Sequence, residues 1–334
     1  MTVSADSTAV LDAPSEDRPA ALGTAVLFMG AILVGAALGL AAPATGYVLS
    51  AGTDATLIAM ISLLFFELRL RNFLLAFGNL RFLSIAWAAN FLVVPVIGMA
   101  AASLFLSGQQ LMFAGLMLYF LAPCTDWFLG FTRMAGGDTG LGAALIPVNM
   151  LTQLMLFPLW LWLFTEQTGL VDLAAMPGIL MQWFVLPLIA AQLVRWVLKR
   201  VLSDRAFEIS LDVSGRLIPL VLAVLILQIF ASNIGLIAAQ ISAFGSVAMA
   251  VLVFFVATFF VSQAIARMGS ARYPQRALLT MTMAARNAPL MIVMTAVAIP
   301  GQPLIQAIIA FGMLLEIPHL TVLRQILLRT RRAR

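Results

Sequence analysis

Three short stretches of this chain carry groups that can do chemistry. Tyr119-Phe120-Leu121-Ala122-Pro123-Cys124-Thr125-Asp126-Trp127 brings together a proline, the only cysteine, a hydroxyl and a carboxylate. Ala284-Ala285-Arg286-Asn287-Ala288-Pro289-Leu290 joins a cation and an amide to a second proline, and Leu314-Leu315-Glu316-Ile317-Pro318-His319 joins a carboxylate and the only imidazole to a third. A thiol can ligate a soft metal or metalloid. A carboxylate can carry a proton, a guanidinium can hold an anion, and hydroxyls and amides can hydrogen-bond a polar solute. Asn149, Thr152 and Gln153 add further polar groups, with Asn149 and Gln153 four apart and so on one helical face.

The elements that must position these groups are membrane helices. The chain of 334 residues is 63% hydrophobic and only 10% charged, with mean hydropathy +1.05, too little polar surface for a soluble globule. Apolar windows of about 20 residues recur without alternation, which indicates helices and not barrel strands. Ten spans are predicted, at about 20–42, 54–68, 82–106, 110–132, 139–164, 173–198, 213–232, 241–267, 275–299 and 303–328. Residues 1–19 are read as a disordered cytoplasmic tail, because they lack the basic region of a secretory signal. One cysteine excludes an internal disulfide.

Charge placement supports that count. With ten spans, all but one of the 19 Lys and Arg fall in the tail, the 2–3, 4–5, 6–7 and 8–9 connections and the C-terminal end. The opposite side carries only Asp54, Glu166 and Asp172. The positive-inside rule then places both termini in the cytoplasm of a cell-membrane protein. The net charge of +5 is accounted for by topology, and scattered arginines without a binding motif argue against nucleic acid.

The remaining cation, Arg286, lies inside span 9. Each proline break frees backbone groups that need partners at membrane depth, and such breaks survive where they are buried in protein or line a wet cavity. Pro123 is expected to displace the carbonyl of Tyr119. Aligning Ala122-Pro123 with Ala288-Pro289 brings the next spans, near 139 and 303, almost into register. The chain therefore divides into a first five-helix repeat, 20–168, and a second, 169–334, of opposite orientation. Inverted repeats with a broken helix in each half are the sequence sign of a secondary transporter.

Blander readings stand beside these. The prolines could be packing kinks, Cys124 a small buried residue, and Glu316 a salt-bridge partner of Arg286. Asp126 shares a helical face with Arg133 and could pair with it. His319 reads as a structural hydrogen-bonding group more than a proton relay. An enzyme is not expected, because one histidine cannot build a His-Glu-x-x-His metal site and Asp126 and Asp138 do not form a facing dyad. No cofactor is expected.

The ten-span layout, the breaks in spans 4 and 9, and the segments Ala122-Pro123-Cys124, Gly136-Gly137-Asp138, Ala285-Arg286-Asn287 and Gly312-Met313-Leu314-Leu315-Glu316-Ile317-Pro318 resemble the bile acid/arsenite transporter superfamily. Within it the chain most resembles the arsenite efflux permeases of the arsenical-resistance type. The resemblance implies an all-α fold of two inverted five-helix repeats, with spans 4 and 9 crossing in a core domain (spans 3–5 and 8–10) beside a panel (spans 1, 2, 6 and 7). It maps the permeases' essential cysteine onto Cys124 and their arginine-asparagine pair onto Arg286 and Asn287. The permeases continue that pair with asparagine, phenylalanine and glutamate, where this chain has Ala288-Pro289-Leu290, so Glu316 is left to supply the carboxylate.

The expectation is therefore proton-coupled arsenite efflux. Cys124, Thr125, Asn149, Gln153, Arg286 and Asn287 are the candidate substrate contacts, Cys124 the arsenite ligand and Glu316 the proton carrier. The alternative is an ion-coupled carrier of a small organic anion, of bile acid or pantothenate type, with Arg286 as counter-ion. The sodium-coupled branch binds sodium through a Glu-rich motif in span 9, where this chain has Arg286, and a fixed cation repels sodium.

Overall fold

The computed structural model describes residues 17–68, 79–125, 127–165 and 176–332. Among them there is no β-strand. The chain opens with α1 (Asp17–Ala41), which stops where Pro43 begins α2 (Pro43–Ser50), and α3 (Thr53–Glu67) follows. α4 (Leu80–Ala88) passes through a π-helical turn, Ala89–Val93, into α5 (Val94–Phe105). α6 (Gln110–Leu121) and α7 (Phe128–Met134) flank the first break and lead to α8 (Thr139–Thr165). α9 (Met176–Leu180) continues through a second π-helical turn, Met181–Val185, into α10 (Leu186–Val201), before the long α11 (Asp204–Ala239) and α12 (Ile241–Met268). α13 (Tyr273–Ala284) and α14 (Ala288–Ala298) flank the second break, and α15 (Pro303–Arg332) ends the chain.

Among the described residues, seven helical stretches are long and apolar enough to cross a membrane: Gly23–Ala41, Leu80–Phe105, Thr139–Thr165, Pro177–Val201, Asp204–Ala239, Ile241–Met268 and Pro303–Arg331. α2 and α3 pass the same test together but are bent by 49°. α6 and α14 are apolar but too short to cross alone. Each lies beside a proline-bearing break, with Pro123 just after α6 and Pro289 in the first turn of α14. Large apolar side chains such as Leu33, Leu104, Ile189 and Phe260 lie exposed on the outside, as a lipid-facing surface requires. The chain is a multi-pass, all-helical integral membrane protein.

The helices pack in two groups. In one, α11 lies against α1, α2 and α3, and α10 packs on α3. Gly35 and Gly39 let α1 approach the α11 backbone: a Cβ on Gly35 would come 2.6 Å from the Leu227 carbonyl, and one on Gly39 would collide with that of Ala231. Small residues four apart serve this purpose in membrane helices, where close approach replaces the hydrophobic drive. The last carbonyls of α3 are held from α10, where Gln192 donates to Phe65 O at 2.7 Å and Arg195 to Phe66 O at 2.6 Å.

The second group contains α4–α8 and α12–α15. Here α6 packs on α15, α5 and α8, and α12 packs on α5 and α13. Its interior holds the fully buried Phe120, Phe254 and Phe255, with Phe120 and Phe254 stacked 3.9 Å apart. α15 also meets α11 and α1, joining the two groups.

Candidate functional site

The two breaks meet each other. Between α6 and α7 the backbone at Ala122 is extended, and so is that at Ala285 between α13 and α14. Pro123 and Arg286 form an isolated antiparallel bridge. On one side Cys124 N–H donates to Ala285 O at 3.1 Å, and on the other Asn287 N–H donates to Ala122 O at 2.8 Å. Each break thus supplies partners for backbone groups the other has freed, which answers the demand that no such group go unpaired in a low-dielectric interior. A side-chain bond adds to the crossing: Asn287 Nδ2 donates to Thr125 Oγ1 at 2.9 Å. The same Asn287 caps α14, its Oδ1 accepting from Leu290 N–H at 3.2 Å.

Arg286 is fully buried. Its Nη1 donates to Phe120 O at 2.9 Å. Its Nη2 donates to Thr282 O at 2.7 Å, Met283 O at 2.9 Å and Asn90 Oδ1 at 3.3 Å. These carbonyls belong to the last turns of α6 and α13, where helix carbonyls lack partners and the helix dipole is negative. The guanidinium therefore ties together two helix ends. The carbonyl of α6 that it takes is that of Phe120. Asn90 is itself fixed, donating from Nδ2 to Thr282 Oγ1 at 3.0 Å.

Glu316 is likewise fully buried. Its Oε1 accepts from Trp127 Nε1 at 2.8 Å and from the backbone N–H of Arg286 at 3.0 Å. Its Oε2 accepts from Tyr119 Oη at 2.7 Å, a hydroxyl that also lies 3.1 Å from Gly312 O. Glu316 thus meets Arg286 through the main chain, while the guanidinium's own hydrogen bonds go to carbonyls. Gly312 makes room for this arrangement, since a Cβ there would stand 2.8 Å from the Tyr119 ring.

Cys124, Thr125, Arg286, Asn287 and Glu316 therefore converge at one crossing, and Cys124, Arg286, Asn287 and Glu316 are fully enclosed. Asn149 and Gln153 lie on α8, which packs against α6, α7 and α4. Both are buried, yet both polar atoms of Asn149, and Oε1 of Gln153, have no hydrogen-bond partner among the described residues. Gln153 Nε2 reaches only the Met150 sulfur, at 3.3 Å. Buried polar groups are nearly always paired, so these amides are exceptions to that rule. No hydrogen bond among the described residues ties them to the crossing.

His319 stacks on Phe255 with ring centroids 4.1 Å apart. It packs as an aromatic, and no hydrogen bond from its Nε2 is found among the described residues. Asp126, and with it the expected pairing to Arg133, lies outside the described residues.

Sequence reasoning missed Asn90, Tyr119, Trp127 and Thr282 as members of the site. Asn90 left one signal, an amide inside an apolar run at a π-helical turn, a distortion often found at functional sites. A further polar group links α12 and α13: Ser262 and Gln263 donate to Thr280 Oγ1 at 3.1 and 2.8 Å. Among the described residues no cluster of His, Cys, Asp and Glu could hold a metal ion.

A family model for the sodium bile acid symporter family matches residues 54–266. The match includes the first break and ends before Arg286 and Glu316. No curated protein matches the chain.

Proposed function

The chain belongs to the sodium bile acid symporter family, whose members are transporters, and from that premise we propose that it is a secondary carrier exporting arsenite in exchange for protons. The observation that carries the reading is the hydrogen-bonded crossing of the two breaks, with a thiol on one strand and a caged carboxylate beside it. Taken with α6 and α14 as halves of discontinuous spans, the crossing supports ten spans in two inverted five-helix repeats. The basic connections then face the cytoplasm, with both termini, in the cell membrane.

The electrostatics favour a neutral substrate. Arg286 is committed to carbonyls, and Glu316 is met by three donors. Arg286 Nε has no hydrogen-bond partner among the described residues, but Glu316, held by the backbone N–H of the same residue, leaves an organic anion no unopposed positive charge at the crossing. At the α14 N-terminus Pro289 lacks an N–H and Leu290 N–H is held by Asn287, which removes two of the donors a helix start offers an anion. Arsenous acid is un-ionised at neutral pH, thiophilic and rich in hydroxyls. Cys124 supplies one soft ligand, weak enough for a carrier to release. Thr125, Asn287, Asn149 and Gln153 supply hydrogen bonds, and Arg286 holds the frame.

Since the crossing is enclosed, substrate reaches it only when the two helix groups move relative to each other, as alternating access requires. Glu316 loads and releases the proton. One charge moved through about 100 mV supplies roughly 2.3 kcal/mol, close to a 50-fold gradient. The second reading, a carrier of a small organic anion of bile acid or pantothenate type, is favoured by the family match itself.

Expression in an arsenite-sensitive host tests the proposal. The wild-type chain is expected to confer arsenite resistance and Cys124→Ser to lose it at equal membrane abundance. Full resistance from Cys124→Ser refutes the role of the thiol.

A further inference from the structure

We propose that the cavity between the start of α4 and the turn joining α12 to α13 is a docking site for the head group of an anionic phospholipid, held through its phosphate by Arg81 and Ser270. Such a site is independent of which solute the carrier moves.

The cavity measures about 210 Å³ and has a mixed lining, polar at Arg81, Ser270 and Gln275 and apolar at Ile85, Ile265 and Leu279. Among the described residues that line it, Arg81 is the one charged group, so no carboxylate there opposes an anion. Asn79, also in the lining, spends its Oδ1 on capping Phe82 N–H at 3.2 Å, which leaves its amide nitrogen as a further donor.

Arg81 and Ser270 are both poor choices for the local backbone. Arg81 is the second residue of α4, where the positive end of the helix dipole disfavours a cation. Ser270 takes φ +52°, the only positive φ outside glycine among the described residues. It stands in the turn that closes α12, where Ala271 N–H donates to Ala266 O at 2.9 Å, a position that glycine occupies at least cost. Breaches of local preference concentrate at functional sites, and these two line one cavity. A bound phosphate compensates for both, since it offsets the guanidinium at the helix start and accepts from the serine hydroxyl.

The surroundings select a lipid over a free phosphate. Leu80 and Met268, at the ends of α4 and α12 beside the cavity, are 56% and 86% exposed. From Met268 the outer face of α12 continues through Ala264, Phe260 and Val256, four residues apart and all exposed. An acyl chain attached to a phosphate in the cavity can follow that face. Arg267 and Arg272, exposed at the same turn, add positive potential, and basic pockets between membrane helices are where anionic head groups bind. A free phosphate would gain the polar contacts and none of this apolar surface.

Purified full-length protein in a neutral detergent, titrated with phosphatidylglycerol or with phosphatidylcholine of the same acyl chains, tests the proposal. Retained lipid is counted by native mass spectrometry and melting temperature is followed in parallel. The wild type is expected to retain one phosphatidylglycerol in preference to phosphatidylcholine, and to melt at a higher temperature as it binds. Arg81→Gln should bind it roughly 5-fold more weakly, the loss of one basic contact to an anionic head group. Ser270→Gly removes the hydroxyl while relaxing the backbone, so it should retain less phosphatidylglycerol yet melt no lower than the wild type in phosphatidylcholine. Arg329→Gln, exposed on α15 and outside the cavity, should bind as the wild type does. A wild type without preference for phosphatidylglycerol overturns the proposal, and so does wild-type retention by both Arg81→Gln and Ser270→Gly. Equal weakening by Arg329→Gln overturns it too, because the attraction would then belong to diffuse surface charge. Inorganic phosphate that raises the melting temperature as much as phosphatidylglycerol overturns the choice of a lipid. If Arg81→Gln does not fold, Ser270→Gly decides alone.

Discussion

Replacing Glu316 by glutamine isolates the charge of the site from its shape. The carboxylate accepts at Oε1 from Trp127 and from Arg286 N–H, and at Oε2 from Tyr119. A glutamine placed with its oxygen at Oε1 keeps the first two bonds. Its amide nitrogen then faces the Tyr119 hydroxyl, which can turn to donate to Gly312 O, already 3.1 Å away, and accept from the glutamine. Each of the three donors that Glu316 accepts from stays satisfied. Each charge-assisted bond, worth about 1.5–3 kcal/mol, becomes a neutral one of about 0.5–1.5 kcal/mol, and that loss is offset because no charge remains to be buried. Glu316→Gln should therefore fold with a stability within ~2 kcal/mol of wild type.

Glu316→Ala is different. It orphans the Trp127 and Arg286 donors at about 1–3 kcal/mol each, or about 2–6 kcal/mol together, a large part of a typical folding free energy of ~5–15 kcal/mol. The assay is arsenite flux in proteoliposomes, run first under an imposed pH gradient and then as counterflow with no gradient. Glu316→Gln should lose accumulation driven by the pH gradient and keep counterflow, since exchange of substrate for substrate moves no net proton. A glutamine variant that accumulates arsenite as the wild type does refutes the role of Glu316 as proton carrier. Loss of both activities with retained folding would instead show that the carboxylate is needed for binding or movement.

Three further substitutions probe the supports of the site. Gly312→Ala pushes against the Tyr119 ring, 2.8 Å from the new Cβ, and is expected to lower pH-driven flux by loosening Tyr119 from Glu316; unchanged flux and tyrosine environment would count against that link. Asn90→Ala removes one acceptor from Arg286 and the donor to Thr282, and should cost about 1–3 kcal/mol, read as a lowered melting temperature in detergent. Gly39→Val drives a side chain into the Ala231 carbonyl of α11, and should reduce the yield of folded protein while Gly23→Val, in open space, does not.

Much of the helical layout was legible because its signals are local. Each predicted span overlaps a helix or a broken helix, for hydropathy and proline act along the chain. The two breaks were visible for the same reason. Their direct hydrogen bonding, Cys124 to Ala285 and Asn287 to Ala122, was not, because pairing between distant segments leaves no periodic trace. Arg286 stood out as a cation in an apolar run, but its direction did not. Sequence allowed a counter-ion or a salt bridge to Glu316, and only three-dimensional placement selects the carbonyls of Phe120, Thr282 and Met283. Tyr119 and Trp127 were overlooked because aromatic residues in a greasy helix read as packing, whereas here their polar tips define the carboxylate's cage.

The most direct test of the account is arsenite flux in sodium-free proteoliposomes bearing the wild-type chain, with a pH gradient as the only driving force. The account predicts arsenite moving against its gradient as protons run down theirs, with Cys124→Ser inactive and a small carboxylate not carried. Carboxylate transport in place of arsenite, or arsenite movement indifferent to the pH gradient, would contradict it.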